Sequence, residues 1–147
     1  MISIDLLRRQ HDAAIAFVGA LVHLIDHYRE PDDAYRINLG MAKLLGLLRI
    51  HFAQEDLRLY PMMIESGHEE AAMVAHCFEE EMGDIAERFE AFTAHWTSSV
   101  AIAAAFPDFR REALTILHAL GTRIQRENDI LYPLAAAIDE TVTRSAA

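Results

Sequence analysis

Three short breaks divide an otherwise helical pattern, and their spacing decides the fold class. Glu30-Pro31-Asp32-Asp33 is the first, Ser66-Gly67 the second, and the third runs from Thr97-Ser98-Ser99 to Phe106-Pro107-Asp108. Proline lacks the amide proton a helix needs, and glycine and serine favour turns. Between the breaks apolar residues recur in steps of three and four, the period of one helix face. This predicts four helices at about 3–29, 34–64, 68–96 and 108–140. Long helices with short connections pack as antiparallel neighbours. The expectation is therefore an all-α fold, an antiparallel up-down-up-down four-helix bundle. With no linker in its 147 residues, the chain reads as a single domain over 1–147.

The apolar faces carry polar residues where none should be tolerated. The first face runs Ile4, Leu7, His11, Ala14, Ile15, Val18, Val22, Ile25, with His11 in its middle. The second runs Ile37, Leu44, Leu47, Leu48, His51, Glu55, Met62. The fourth runs Ala113, Leu117, Leu120, Ile124, Glu127, Leu131, Leu134, Ile138, with Arg123 roughly 70° from its centre. On the third, Val74 or Ala75, Phe78, Met82, Ile85, Phe89 and Phe92 form the stripe. Glu81 flanks it, and His76 lies near the opposite side. Folding the chain back at each turn brings His11, then His51 and Glu55, then the 76–81 region, then Glu127 to one height, to within roughly a helical turn.

Burying an ionised carboxylate or an unpaired imidazole costs several kcal/mol unless it is compensated. Four such residues at one height point to a bound cation or to a closed polar network. Imidazole and carboxylate suit iron, manganese or zinc, and metal sites in bundles are built from facing helices. His51 and Glu55 are four apart, so they share a helix face.

The same offsets recur near the C-terminus. His51-Phe52-Ala53-Gln54-Glu55-Asp56-Leu57-Arg58-Leu59-Tyr60-Pro61 is echoed by Arg123-Ile124-Gln125-Arg126-Glu127-Asn128-Asp129-Ile130-Leu131-Tyr132-Pro133. With His11, this pattern resembles the hemerythrin-like family, the HHE cation-binding domain, over essentially the whole chain. The resemblance implies a four-helix bundle holding two non-haem irons bridged by oxygen and carboxylates. The family's pattern is a His in helix one, His-x-x-x-Glu in helix two, one or two His in helix three, and His-x-x-x-Glu in helix four. His11, His51, Glu55 and Glu127 match it. His76 or Glu81 is the alternative for helix three. Arg123 departs from the pattern, standing where the fourth-helix His belongs. A guanidinium stays protonated and has no lone pair to give a metal. The expected cofactor is therefore iron in a mononuclear or lopsided dinuclear site, with another divalent metal as the variant. Arg123 is expected to pair with Glu81 or Glu127.

Composition narrows the rest. A net charge of -10 argues against nucleic acid, which needs a basic stripe. No apolar run spans a bilayer and no signal-peptide order is seen. One cysteine, Cys77, suits a reducing compartment, so the expected location is cytoplasmic. Tyr60 and Tyr132 are expected to cap the core with wet hydroxyls, and Pro61 and Pro133 to bend or tighten their helices. His23, His27, His68, His95 and His118 are read as surface residues, and Trp96 as a plug at one end.

Three functions remain. The first is iron, oxygen or nitric oxide sensing or handling, with a small diatomic ligand. The second is a metal-free interaction or regulatory domain with a salt-bridged core. The third is a peroxide or nitric oxide scavenging enzyme. The sequence leaves a protein partner and the oligomeric state open.

Overall fold

The computed structural model describes residues 2–146. Among the described residues all regular structure is helical. The first rod is α1 (Ile4–Asp26). The second comprises α2 (Pro31–Gln54), a π-helical turn π1 (Glu55–Leu59) and α3 (Tyr60–Ile64). The third is α4 (Glu69–His95). A short helix, α5 (Ser99–Ala104), leads into the fourth rod, made of α6 (Phe106–Arg126), π2 (Glu127–Leu131) and α7 (Tyr132–Ala146).

The breaks work as their chemistry requires. Ser3 accepts the Leu6 N–H at 3.1 Å to start α1. Asp33 accepts the backbone N–H groups of Arg29 and Glu30 at 2.9 and 3.1 Å, and Pro31 opens α2. Gly67 turns the chain with φ of 80°, a left-handed conformation that costs side-chain-bearing residues. The third break was given no helix of its own from the sequence. Instead Ser98 accepts the Ala101 N–H at 3.1 Å and nucleates α5, which packs Ile102 into the core.

Neighbouring rods meet late-to-early. Gln10 reaches Gln54 while Leu21 lies against Gly40. Arg8 reaches Asn128 while Asp26 meets Arg110. Glu81 meets Arg123 while Trp96, buried at one end, donates its indole N–H to Glu112.

Both π turns have the same cause. A proline ring in an α-helix collides with the carbonyl four residues back. Ahead of Pro61 and Pro133 the chain widens: the Tyr60 N–H bonds to Glu55 O and the Tyr132 N–H to Glu127 O, five residues back. The prolines therefore loosen the helix and do not tighten it. The extra residue moves the next buried position on by one in each rod, although Ile138 further along is buried as expected. Met63 is buried in place of the expected Met62, and Ala135 in place of Leu134. In α1 the face is also turned, so that Leu21 is buried and Ile15 is exposed.

The apolar interior is two clusters. One gathers Ala14, Leu44, Leu48, Met82, Phe89, Phe109 and Leu120 with their neighbours. The other gathers Leu7, Leu59, Met63, Ala75, Phe78, Leu131 and Ala135. His11 falls between Leu7 and Ala14, His51 and Glu55 between Leu48 and Leu59, and Glu127 between Leu120 and Leu131. A polar layer separates the clusters.

Candidate metal centre

His11, His51, Glu55, Arg123 and Glu127 are the buried polar residues of that layer. The two imidazoles face each other, with Nε2 atoms 3.0 Å apart. His11 Nε2 lies 3.0 Å from Glu127 Oε2, and His51 Nε2 lies 3.0 Å from Glu55 Oε1 and 4.0 Å from Glu127 Oε2. His11, His51 and Glu127 each offer an atom to a point within which all lie 4.8 Å or less from one another. Glu55 Oε1 and both oxygens of Glu127 sit at ion-pair distances without the alignment of hydrogen bonds.

The outer ring nitrogens are fixed from behind. His11 Nδ1 donates to Asn128 Oδ1 at 2.8 Å, and His51 Nδ1 donates to Gln10 Oε1 at 2.8 Å. Gln10 is itself oriented, because its amide N–H donates to Gln54 Oε1 at 2.8 Å. A proton on Nδ1 leaves the Nε2 lone pair of the neutral ring directed at the carboxylates, the form a metal ligand needs.

Tyr132 completes this half. Its hydroxyl donates to Glu55 Oε2 at 3.2 Å and lies 3.1 Å from His11 Nε2, and its ring stacks on His11. Tyr60 is also fully buried, with a hydroxyl that has no hydrogen-bond partner among the described residues. The expectation of wet hydroxyls is thus overturned. The π turns carry both rings inward, immediately after each wide turn.

The electrostatics follow from close packing of opposite charges. Burial alone would depress the His51 imidazole, but its contacts with Glu127 and Glu55 outweigh this and push it up to about 9. Burial and then the charge of Glu127 push Glu55 up to about 7, against the pull of His51. Burial raises Glu127 too, but His11 and His51 overcome it and hold its carboxyl below the usual range. Burial and the two carboxylates raise both tyrosines, so they remain phenols. A cation entering here displaces the proton that His51 holds.

Arg123 occupies the opposite flank of Glu127. Its Nε lies 3.9 Å from Glu127 Oε1, Nη2 donates to Phe78 O at 3.1 Å, and the guanidinium stacks 3.9 Å above the Phe78 ring. Its Nη1 bonds to Glu81, which Arg126 also meets at 2.9 Å.

Neither helix-three alternative joins the cluster. His76 is exposed, as its helical phase dictates. Glu81 is 48% exposed and turns to the two arginines. Gln10 and Asn128 were not singled out from sequence as part of the site, and Tyr132 was weighed as a site-lining residue but read as a cap of the core. The recurrence of Asp or Asn after each Glu, and of Tyr-Pro, was the available signal for two of them; nothing marked Gln10.

The donor set and its enclosure define a helical protein with a buried histidine–carboxylate cluster of the kind that holds a cation. The family model of the hemerythrin HHE cation binding domain matches residues 2–135, and the chain belongs to that family. Comparisons with curated proteins and with solved structures gave no match.

Proposed function

We propose that this chain is an up-down-up-down four-helix bundle that holds one non-haem metal ion, iron by family resemblance. The ion would be held by His11, His51, Glu55 and Glu127. Arg123 stands where the family's second His-x-x-x-Glu would place a ligand, and its guanidinium supplies a fixed positive charge there. The observation that carries this reading is the convergence of His11, His51 and Glu127 within 4.8 Å, all buried, with both outer ring nitrogens held by amide oxygens. A bound iron would supply a Lewis acid and a one-electron couple. The chain's own groups orient the imidazoles and exclude water. The Tyr132 hydroxyl is aimed at the cluster, where it can donate a hydrogen bond to a small diatomic ligand. This supports sensing or handling of oxygen, nitric oxide or iron. The lone Cys77, with no second cysteine for an internal disulfide, supports a reducing compartment such as the cytoplasm for that work.

The ion pairs of Arg123 with Glu81 and Glu127 also favour a second reading, a metal-free domain whose charges compensate one another. Elemental analysis of protein purified without chelator separates the two. About one equivalent of a transition metal, lost in Glu127→Ala, supports the first; under ~0.1 equivalent supports the second. Arg123→His should raise the metal content above that of the wild type.

A further inference from the structure

The solvent side of the second rod carries the wrong residues for a surface. Tyr35, Leu39, Ala42, Gly46, Ile50, Ala53 and Leu57 follow one another in steps of three and four, and every one is exposed. Steps of that size keep one face along roughly 33 Å of helix. The large members are well exposed: Tyr35 62%, Ile50 59% and Leu57 77%. The face opposite a helix's buried stripe is ordinarily charged, and an apolar patch of this extent marks an interaction site.

Gly46 sharpens the point. A glycine inside a helix costs about 0.5–1 kcal/mol relative to alanine. A Cβ built on Gly46 meets nothing within 4 Å among the described residues, as is also true of Gly19, Gly83 and Gly121. On this exposed stripe its smallness leaves room for the close approach of another backbone.

The stripe fits itself. Around a two-fold axis through Gly46, residues equally distant from it meet. Leu39 then faces Ala53, Ile50 faces Ala42, Tyr35 faces Leu57, and glycine faces glycine. Large lies opposite small in the central layers, the condition for interlocking side chains. The charged flanks agree. Arg36 and Asp56 are equally far from Gly46, so each guanidinium meets a carboxylate of the other copy. Among the described residues Arg36 meets Asp33 of its own chain at 3.5 Å. Lys43 meets Arg49, a like-charge pair, but Glu90 already neutralises Arg49 through bonds of 2.6 and 2.7 Å.

We infer that this face of the second rod docks on the same face of a second copy, antiparallel, about a two-fold axis at Gly46. The contact is isologous and therefore closes as a dimer.

Sedimentation of the full chain across the micromolar range should show a monomer–dimer equilibrium. Gly46→Glu should raise the dissociation constant at least about tenfold, with an unchanged circular dichroism spectrum. Arg36→Glu should weaken the dimer, and adding Asp56→Arg should restore it. With Cys77→Ser as background, Gly46→Cys should form an intermolecular disulfide, which needs Cα atoms within about 7 Å; His118→Cys, exposed on another rod, should not. A wild-type chain monomeric throughout overturns the inference, leaving the stripe to another partner or to none. So does a dimer indifferent to Gly46→Glu, or one that crosslinks equally well at both cysteines.

Discussion

A ring nitrogen that holds a proton decides what the other nitrogen can do. Asn128 and Gln10 each accept from an Nδ1 at 2.8 Å and so leave Nε2 of His11 and His51 facing the carboxylates. Such supporting contacts tune affinity without touching the ion. Asn128→Ala and Gln10→Ala should each weaken metal binding by about 10–100-fold, measured by competition with a chromophoric chelator, with helical content unchanged. Equal affinity in all three proteins would show that the amides only fill space. At this scale the cluster itself was legible in the sequence. His11, His51, Glu55 and Glu127 interrupt apolar stripes, and periodicity finds such interruptions. The supporting groups were not legible. Gln10 sits beside the stripe of α1, and its role exists only because Gln54 of α2 orients it.

The second and fourth rods take their phase from the proline that ends the motif and its repeat. Each π turn places glutamate at its first position and delivers a tyrosine immediately after its last. Pro61→Ala restores a donor and removes the collision with the carbonyl of Leu57. The turn can then close to an ordinary one, rotating Glu55 relative to Tyr60 and Met63. Metal affinity should fall by at least about tenfold, in the same competition measurement, while far-ultraviolet dichroism stays helical. The sequence marked these prolines but not their effect, since a kink, a tight turn and a wide turn all relieve the same clash. Likewise α5 went unseen because six residues carry too little periodicity. The start of α2 gives a pH test. Bonds from the N–H groups of Arg29 and then Glu30 hold the Asp33 carboxyl below its ordinary 3.8. A depressed acid adds stability above its unfolded value and loses it as pH falls through the folded one. Asp33→Ala should therefore melt below the wild type at neutral pH, with the gap closing as the pH falls below the ordinary carboxylate range.

The molecule as a whole is two apolar clusters with a charged layer between them. An all-helical fold of long segments was legible from the three breaks, and folding the chain back at each predicted a common height for His11, His51, Glu55 and Glu127. The sequence left open how Arg123 divides its charge between Glu81 and Glu127; in the fold it meets both, bonding to Glu81 on another rod and lying 3.9 Å from Glu127. That balance sets the energetics. Buried ion pairs lose hydration that their mutual attraction barely replaces, and well-packed apolar substitutes are often more stable by 1–4 kcal/mol. A layer retained for an ion should then weaken the fold when no ion binds. Replacing it together (His11→Leu, His51→Leu, Glu55→Met, Glu127→Met) leaves Arg123 its bonds to Glu81 and Phe78 O. In chelator, urea unfolding should show the quadruple variant more stable than the wild type by about 1–4 kcal/mol. Iron at a hundredfold excess over its dissociation constant should then stabilise the wild type by about 2.7 kcal/mol and leave the variant unmoved. A variant less stable than the wild type in chelator would assign the layer a structural role, with its charges serving the fold directly.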